Sequence, residues 1–230
     1  MNGTVIQSRG LVAGYGSMSV VQNLDLHVSS GEVVALLGPN GAGKTTTVMT
    51  LAGHLPAMGG EVRLFGAPVA SPLYRRVRAG LALVAEQRTV FMNLTVAENL
   101  RVNRGNTDLA LELFPELEPH LRRRVGMLSG GQQQILALAR AVSRSPSVVL
   151  ADELSFGLAP VLVDRVLSAV RTMADRGVGV LLVEQHVHKA LEIADRGYVL
   201  RHGEVHMEGA ASWLRSKSDE IRQSYLAADA

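Results

Sequence analysis

The sequence predicts an α/β fold: a mostly parallel β-sheet with flanking helices, an N-terminal antiparallel β subdomain and an inserted α-helical subdomain. Four short, nearly all-apolar runs, at residues 33–37, 81–85, 148–151 and 180–183, have the length and composition of strands buried on both faces. Residues 4–9, 24–28 and 61–65 instead alternate apolar and polar side chains, the pattern of half-exposed antiparallel strands, with turn signals at Ser30-Gly31 and Gly59-Gly60. The stretch from about 86 to 146 has few strand-like runs and reads as helical. One domain of 230 residues follows, with 1–85 and 147–230 as the α/β core and its antiparallel subdomain, and 86–146 as the helical subdomain.

Helical spacing supports the layers around the sheet. Leu162, Val166, Val170 and Met173 fall on one helix face, and Ile135, Leu138 and Val142 on another. Residues 45–51 are helix-compatible, a helix is expected from about 128 to 144, and 211–226 reads as a mixed helical segment. Trp213, the single tryptophan, is expected in core or interface packing.

Composition closes off several functions. Lys plus Arg number 23 against 21 for Asp plus Glu, a net charge of +2, which argues against a nucleic-acid binder held mainly by phosphate contacts. With no cysteine there is no disulfide, thiolate catalysis or cysteine-ligated zinc, and the seven histidines show no ligand spacing. No apolar run approaches the roughly 18 residues of a membrane span, and no apolar stretch follows Arg9 as a secretory leader would require, so a cytoplasmic address is expected. Arg75-Arg76 and Arg122-Arg123-Arg124 read as solvated faces.

One run carries chemistry by itself. Gly38-Pro39-Asn40-Gly41-Ala42-Gly43-Lys44-Thr45 fits the G-x-x-x-x-G-K-[ST] pattern between a strand-like and a helix-compatible segment. Glycines let consecutive N–H groups around the bend through Thr46 turn toward one point, and the helix N-terminus adds positive charge there. Lys44 supplies a mobile ammonium for outer phosphates and Thr45 a hydroxyl for Mg²⁺. The apolar strand at 148–151 ends in Asp152-Glu153. Beside a phosphate cradle, adjacent strand-end carboxylates can divide labour, Asp152 holding Mg²⁺ and Glu153 polarising a water as general base. Ser129-Gly130-Gly131-Gln132 opens another helix, with Ser129 a natural N-cap and the glycines baring further N–H donors.

The order of these three motifs, the cradle at 38–45, the signature at 128–132 and the acids at 152–153, resembles the nucleotide-binding subunit of ATP-binding cassette transporters over essentially the whole chain. The resemblance implies ATP as the nucleotide and a head-to-tail pair of such subunits, so that Ser129, Gly130, Gly131 and Gln132 act on the partner's ATP. It implies that Tyr15 stacks on adenine. It brings Glu86, or Gln87 one step later, to the Q-loop position, touching Mg²⁺ or the attacking water, with Glu86 favoured. It brings Gln185 to the switch-histidine position, with His186 one residue late, and leaves both open. A glutamine there can donate to a phosphate oxygen but takes up no proton at neutral pH.

Departures sharpen the likeness. Leu154 follows the two acids where proline is usual, and Ala159 replaces the usual aspartate of the next loop. Residues 155–160, 183–186 and 195–199 together look like the shorter ATPase subunit of branched-chain amino-acid importers, with urea and short amides as cargo of relatives. The expected partners are a second ATPase chain, identical or different, transmembrane permease subunits and, through them, an extracytoplasmic solute-binding protein, which puts the chain at the cytoplasmic face of the membrane. A soluble ATP-switched interaction protein is the competing class, usually with coiled-coil insertions or two cassettes, for which 230 residues and one cradle leave no room.

Overall fold

The computed structural model describes residues 3–85, 89–102, 105–155 and 157–226. The chain opens with a long hairpin, β1 (Thr4–Tyr15) and β2 (Met18–Ser29), then β3 (Val33–Leu37), α1 (Lys44–Ala52), β4 (Gly59–Leu64), β5 (Ala67–Pro68), α2 (Leu73–Arg78) and β6 (Leu81–Val84). Next come α3 (Val96–Arg101), α4 (Thr107–Leu113), 3-10 turns at Pro115–His120 and Val125–Met127, and α5 (Gly130–Val142). The last third runs β7 (Val148–Asp152), α6 (Pro160–Asp175), β8 (Gly179–Val183), α7 (Val187–Ile193), β9 (Arg196–Arg201), β10 (Glu204–Ala210), α8 (Ala211–Ser216) and α9 (Ser218–Leu226).

Six strands form the main sheet in the order β10-β9-β3-β8-β7-β6, parallel throughout except for the edge pair β10–β9. Every residue of β3, β7 and β8 is buried, as continuous apolar runs require when both faces are covered. Alternate residues serve two cores. Val33, Ala35, Leu37, Val180 and Leu182 pack toward the helices α5 and α6, while Val34, Leu36, Leu181 and Val183 face α1 and the second sheet. That second sheet is antiparallel, in the order β2-β1-β4-β5. Between β6 and β7 the described residues form helices and 3-10 turns, with Phe114, Leu117 and Leu136 fully buried as their anchors.

Several expectations change. The hairpin strands are twelve residues each, longer than the alternation at 4–9 and 24–28 indicates, because register shifts between Ser8 and Ala13 reset the period. Gly59-Gly60 is no turn: it begins β4, where Gly60 (φ +74°) runs so close to β1 that a Cβ would sit 2.2 Å from the Gly10 carbonyl oxygen. The segment 211–226 is two helices, broken at Lys217. Trp213 lies 45% exposed, with its ring over Gly209.

Arg122, Arg123 and Arg124 are exposed, but Arg76 is 5% exposed and belongs to no solvated face. Its guanidinium donates to the carbonyls of Thr50 (3.0 Å) and Leu51 (2.7 Å) at the end of α1, and to those of Ser71 (2.8 Å) and Val69 (3.3 Å). A cation at a helix C-terminus satisfies carbonyls that have no partner within the helix.

Candidate functional site

The loop from Gly38 to Gly43 joins β3 to α1. Gly38 (φ +151°), Gly41 (+78°) and Gly43 (+97°) turn the chain back on itself. A Cβ at Gly38 would lie 2.5 Å from the Leu200 carbonyl oxygen, and one at Gly43 2.9 Å from Val21, so neighbouring strands also forbid side chains there. Pro39 and Ala42 are buried within the loop, while Asn40 and Gly41 are exposed. Gly43 caps α1 without a side-chain hydrogen bond, leaving the helix's first N–H groups facing a hollow of about 140 Å³. Val20, Asn40, Gly41, Gly43, Lys44, Thr45, Thr46 and Glu153 line that hollow.

Lys44 is 5% exposed and donates to the carbonyls of Gly38 (2.8 Å) and Pro39 (2.9 Å). Burial lowers its pKa, opposed by the nearby charges of Glu153 and Asp152. The ammonium is thus held at the mouth of the cradle by acceptors it can exchange for phosphate oxygens. Thr45 is exposed and Thr46 buried on the first turn of α1. Tyr15, 54% exposed, ends the strand whose hairpin partner brings Val20 and Val21 against Gly43.

Asp152 is fully buried at the end of β7, opposite Val183 of β8. Glu153 leaves the sheet with φ +51°, a left-handed conformation uncommon outside glycine, and its N–H donates to the Val183 carbonyl at 3.0 Å. The Gln185 amide donates to Glu153 Oε1 at 2.9 Å and reaches Asn40 Oδ1 of the phosphate loop at 3.3 Å. One side chain thereby ties the carboxylate to the cradle. His186, by contrast, is the exposed N-cap residue of α7. Glu86 and Gln87 lie outside the described residues.

Sequence reasoning passes over Glu184. It is 1% exposed and accepts the Ser155 N–H at 3.0 Å and the Ser155 hydroxyl on its other oxygen. Burial raises its pKa, against the hydrogen bonds from Ser155 that lower it. The signal available was a carboxylate directly following the buried run that ends at Val183.

Ser129 caps α5 in a reciprocal box: its hydroxyl accepts the Gln132 N–H (3.3 Å) and its own N–H donates to Gln132 Oε1 (3.0 Å). Gly131 has a packing reason as well, since a Cβ there would lie 2.2 Å from Leu162 of α6. None of Ser129, Gly130, Gly131 and Gln132 lines the hollow beside Lys44. The two glycine clusters are separate surfaces of one chain.

Among the described residues no cluster of three or more His, Cys, Asp or Glu is preassembled for a metal. A Thr45 hydroxyl at the hollow and the Asp152 carboxylate at the strand end are hard oxygen donors, the set that suits Mg²⁺ completed by phosphate and water.

Comparison with known proteins places the chain in a family. The family model described as ABC transporter matches residues 21–155. The high-affinity branched-chain amino acid transport ATP-binding protein BraG of Pseudomonas aeruginosa is 39% identical over 222 residues, 92% of this chain and 95% of the relative. The probable branched-chain amino acid transport ATP-binding protein LivF of Archaeoglobus fulgidus is 36% identical over 218 residues, 89% and 91% of the two chains. The lipopolysaccharide export system ATP-binding protein LptB of Escherichia coli is 30% identical over 236 residues, 97% and 98%. A nucleotide-free ATP-binding cassette from an ABC transporter superposes with a TM-score of 0.87 at 22% identity, covering 97% of this chain and 99% of that one, and so has the same fold. The chain belongs to the ABC transporter family, as an ATP-binding subunit that hydrolyses ATP.

Proposed function

We propose that the chain drives a membrane importer for branched-chain or other hydrophobic amino acids, acting as one ATPase unit (1–85 and 147–230 as core, 86–146 as helical subdomain). The observation that carries the catalytic part is the Gln185 amide joining Glu153 to Asn40, which sets a carboxylate beside the phosphate cradle. On this reading the N–H groups of residues 40–46 and the Lys44 ammonium hold the phosphates, and Tyr15 stacks on adenine. Glu153 accepts the proton of the attacking water, and Gln185 donates to Glu153 and, with nucleotide present, to an outer phosphate oxygen. Mg²⁺, held by Thr45 and Asp152, supplies charge neutralisation at the outer phosphates. Glu86, in preference to Gln87, meets the metal or the water.

The signature residues Ser129, Gly130, Gly131 and Gln132 complete the site of a second ATPase chain, identical or different, packed head to tail. Closing that pair around ATP pushes on permease subunits, and hydrolysis releases the push. A solute-binding protein delivers cargo on the far side. No helix among the described residues is long and apolar enough to cross a membrane, in keeping with a peripheral subunit at the cytoplasmic face. The cargo rests on the names of BraG and LivF, which share more identity with this chain than LptB does.

The test is uptake by vesicles carrying the chain with its co-purified permease and partner ATPase chain, with the solute-binding protein supplied outside. Labelled leucine is expected to enter with internal ATP. The Glu153→Gln complex should bind ATP but hydrolyse it about 10²–10⁴-fold more slowly and take up no leucine. Uptake of urea in place of leucine would replace the cargo, and near-normal turnover by Glu153→Gln would remove the base.

A further inference from the structure

His120 ends the 3-10 turn Pro115–His120, which Leu117 anchors in the core and an Arg165–Glu116 ion pair of 2.9 Å ties to α6. Its ring Nε2 lies 3.0 Å from Nε2 of Gln132, the residue that closes the capping box on Ser129. Donor counting fixes the chemistry of this contact. The Ser129 N–H can only donate, so the Gln132 atom 3.0 Å from it is the amide oxygen. The Gln132 amide nitrogen, which can only donate, therefore faces the ring. The His120 Nε2 must carry a lone pair, and the neutral ring holds its proton on Nδ1. Arg123 approaches Nδ1 only at 3.5 Å and exposed to water, too long to compete.

We infer that His120 is a positioning residue for the signature: by accepting the Gln132 amide proton it holds Gln132 Oε1 on the Ser129 N–H and so fixes the turn that meets the partner's nucleotide. This inference rests on the reading of Ser129 as part of the nucleotide site. It assigns His120 no contact with ATP. A side chain that presents a donor at this point would turn Gln132 around and open the box.

The experiment uses the full chain. Imidazole ¹⁵N spectra should show His120 with an unprotonated Nε2; a proton on Nε2 overturns the inference. His120→Gln, which still offers an acceptor, should keep turnover within about twofold. His120→Arg sets donor against donor and should lower kcat roughly five- to tenfold, the scale of a lost N-cap, while KM for MgATP stays within about twofold because the cradle is untouched. Adding Gln132→Glu to His120→Arg restores complementary groups and should recover most of the loss. Failure of that rescue, or full activity of His120→Arg alongside an inactive Ser129→Arg control, overturns the role of His120. A fully active Ser129→Arg protein would instead remove the underlying reading of the signature, and the inference with it.

Discussion

Glu184 pairs burial with two donated hydrogen bonds from Ser155, and the balance of the two sets how the fold responds to pH. Burial holds its pKa above the ordinary carboxylate value, so over that interval the native state keeps a proton that the unfolded chain has released. More protons on the native state mean that stability falls as pH rises through the interval. Glu184→Gln keeps both contacts, its oxygen accepting the Ser155 N–H and its amide donating to the Ser155 hydroxyl, but does not titrate. Thermal melts should therefore give similar midpoints for the two proteins near pH 4, with the wild type falling below the variant by on the order of 3 °C toward pH 8. A gap that stays constant across that range would mean that Glu184 does not titrate between the two states. Legibility at this scale divides by how a residue works. The cradle glycines and Lys44 announce themselves because the chemistry demands those types at that spacing. Gln185 and His186 differ by one position, and only the turn that makes His186 the cap of α7 puts the Gln185 amide on Glu153.

Elements are legible where one local rule decides them. The strands β3, β7 and β8 stand out because burial on both faces leaves no room for polar residues, and α5 and α6 because their apolar spacing is helical. The edge pair β9–β10 escapes the local reading, since β10 only alternates half-buried and exposed residues over a short span. The adjacent arginines Arg75 and Arg76 separate for a reason that no local pattern contains: α2 lies beside the end of α1, and one of the two guanidinium groups meets the carbonyls there. Arg76→Met should cost about 3 kcal/mol in urea unfolding, by removing the donor from the buried Leu51 carbonyl together with the bonds to Thr50, Ser71 and Val69. Arg75→Ala, on the exposed side of α2, should change stability by less than about 0.5 kcal/mol. Equal effects from the two would contradict the capping of α1. Because the N-terminus of α1 lines the proposed phosphate site, the loss at its far end should also weaken nucleotide binding.

At the scale of the whole molecule, the proposed sharing of each site between two chains can be tested directly. Ser129 and its neighbours do not line the hollow beside Lys44, so a site that needs both motifs needs a second chain. The proposed head-to-tail packing gives a sharp complementation test with two inactive variants, Lys44→Ala and Ser129→Arg. In a mixed dimer, the intact cradle of the Ser129→Arg chain faces the intact signature of the Lys44→Ala chain, and both lesions fall together in the other site. Co-expression with two different tags and purification on both isolates this species. Its ATP hydrolysis should be about half that of the wild-type dimer for independent sites, while each parent variant alone stays inactive. If each chain served its own nucleotide, every site in the mixed dimer would carry one lesion, and the preparation would be as inactive as its parents.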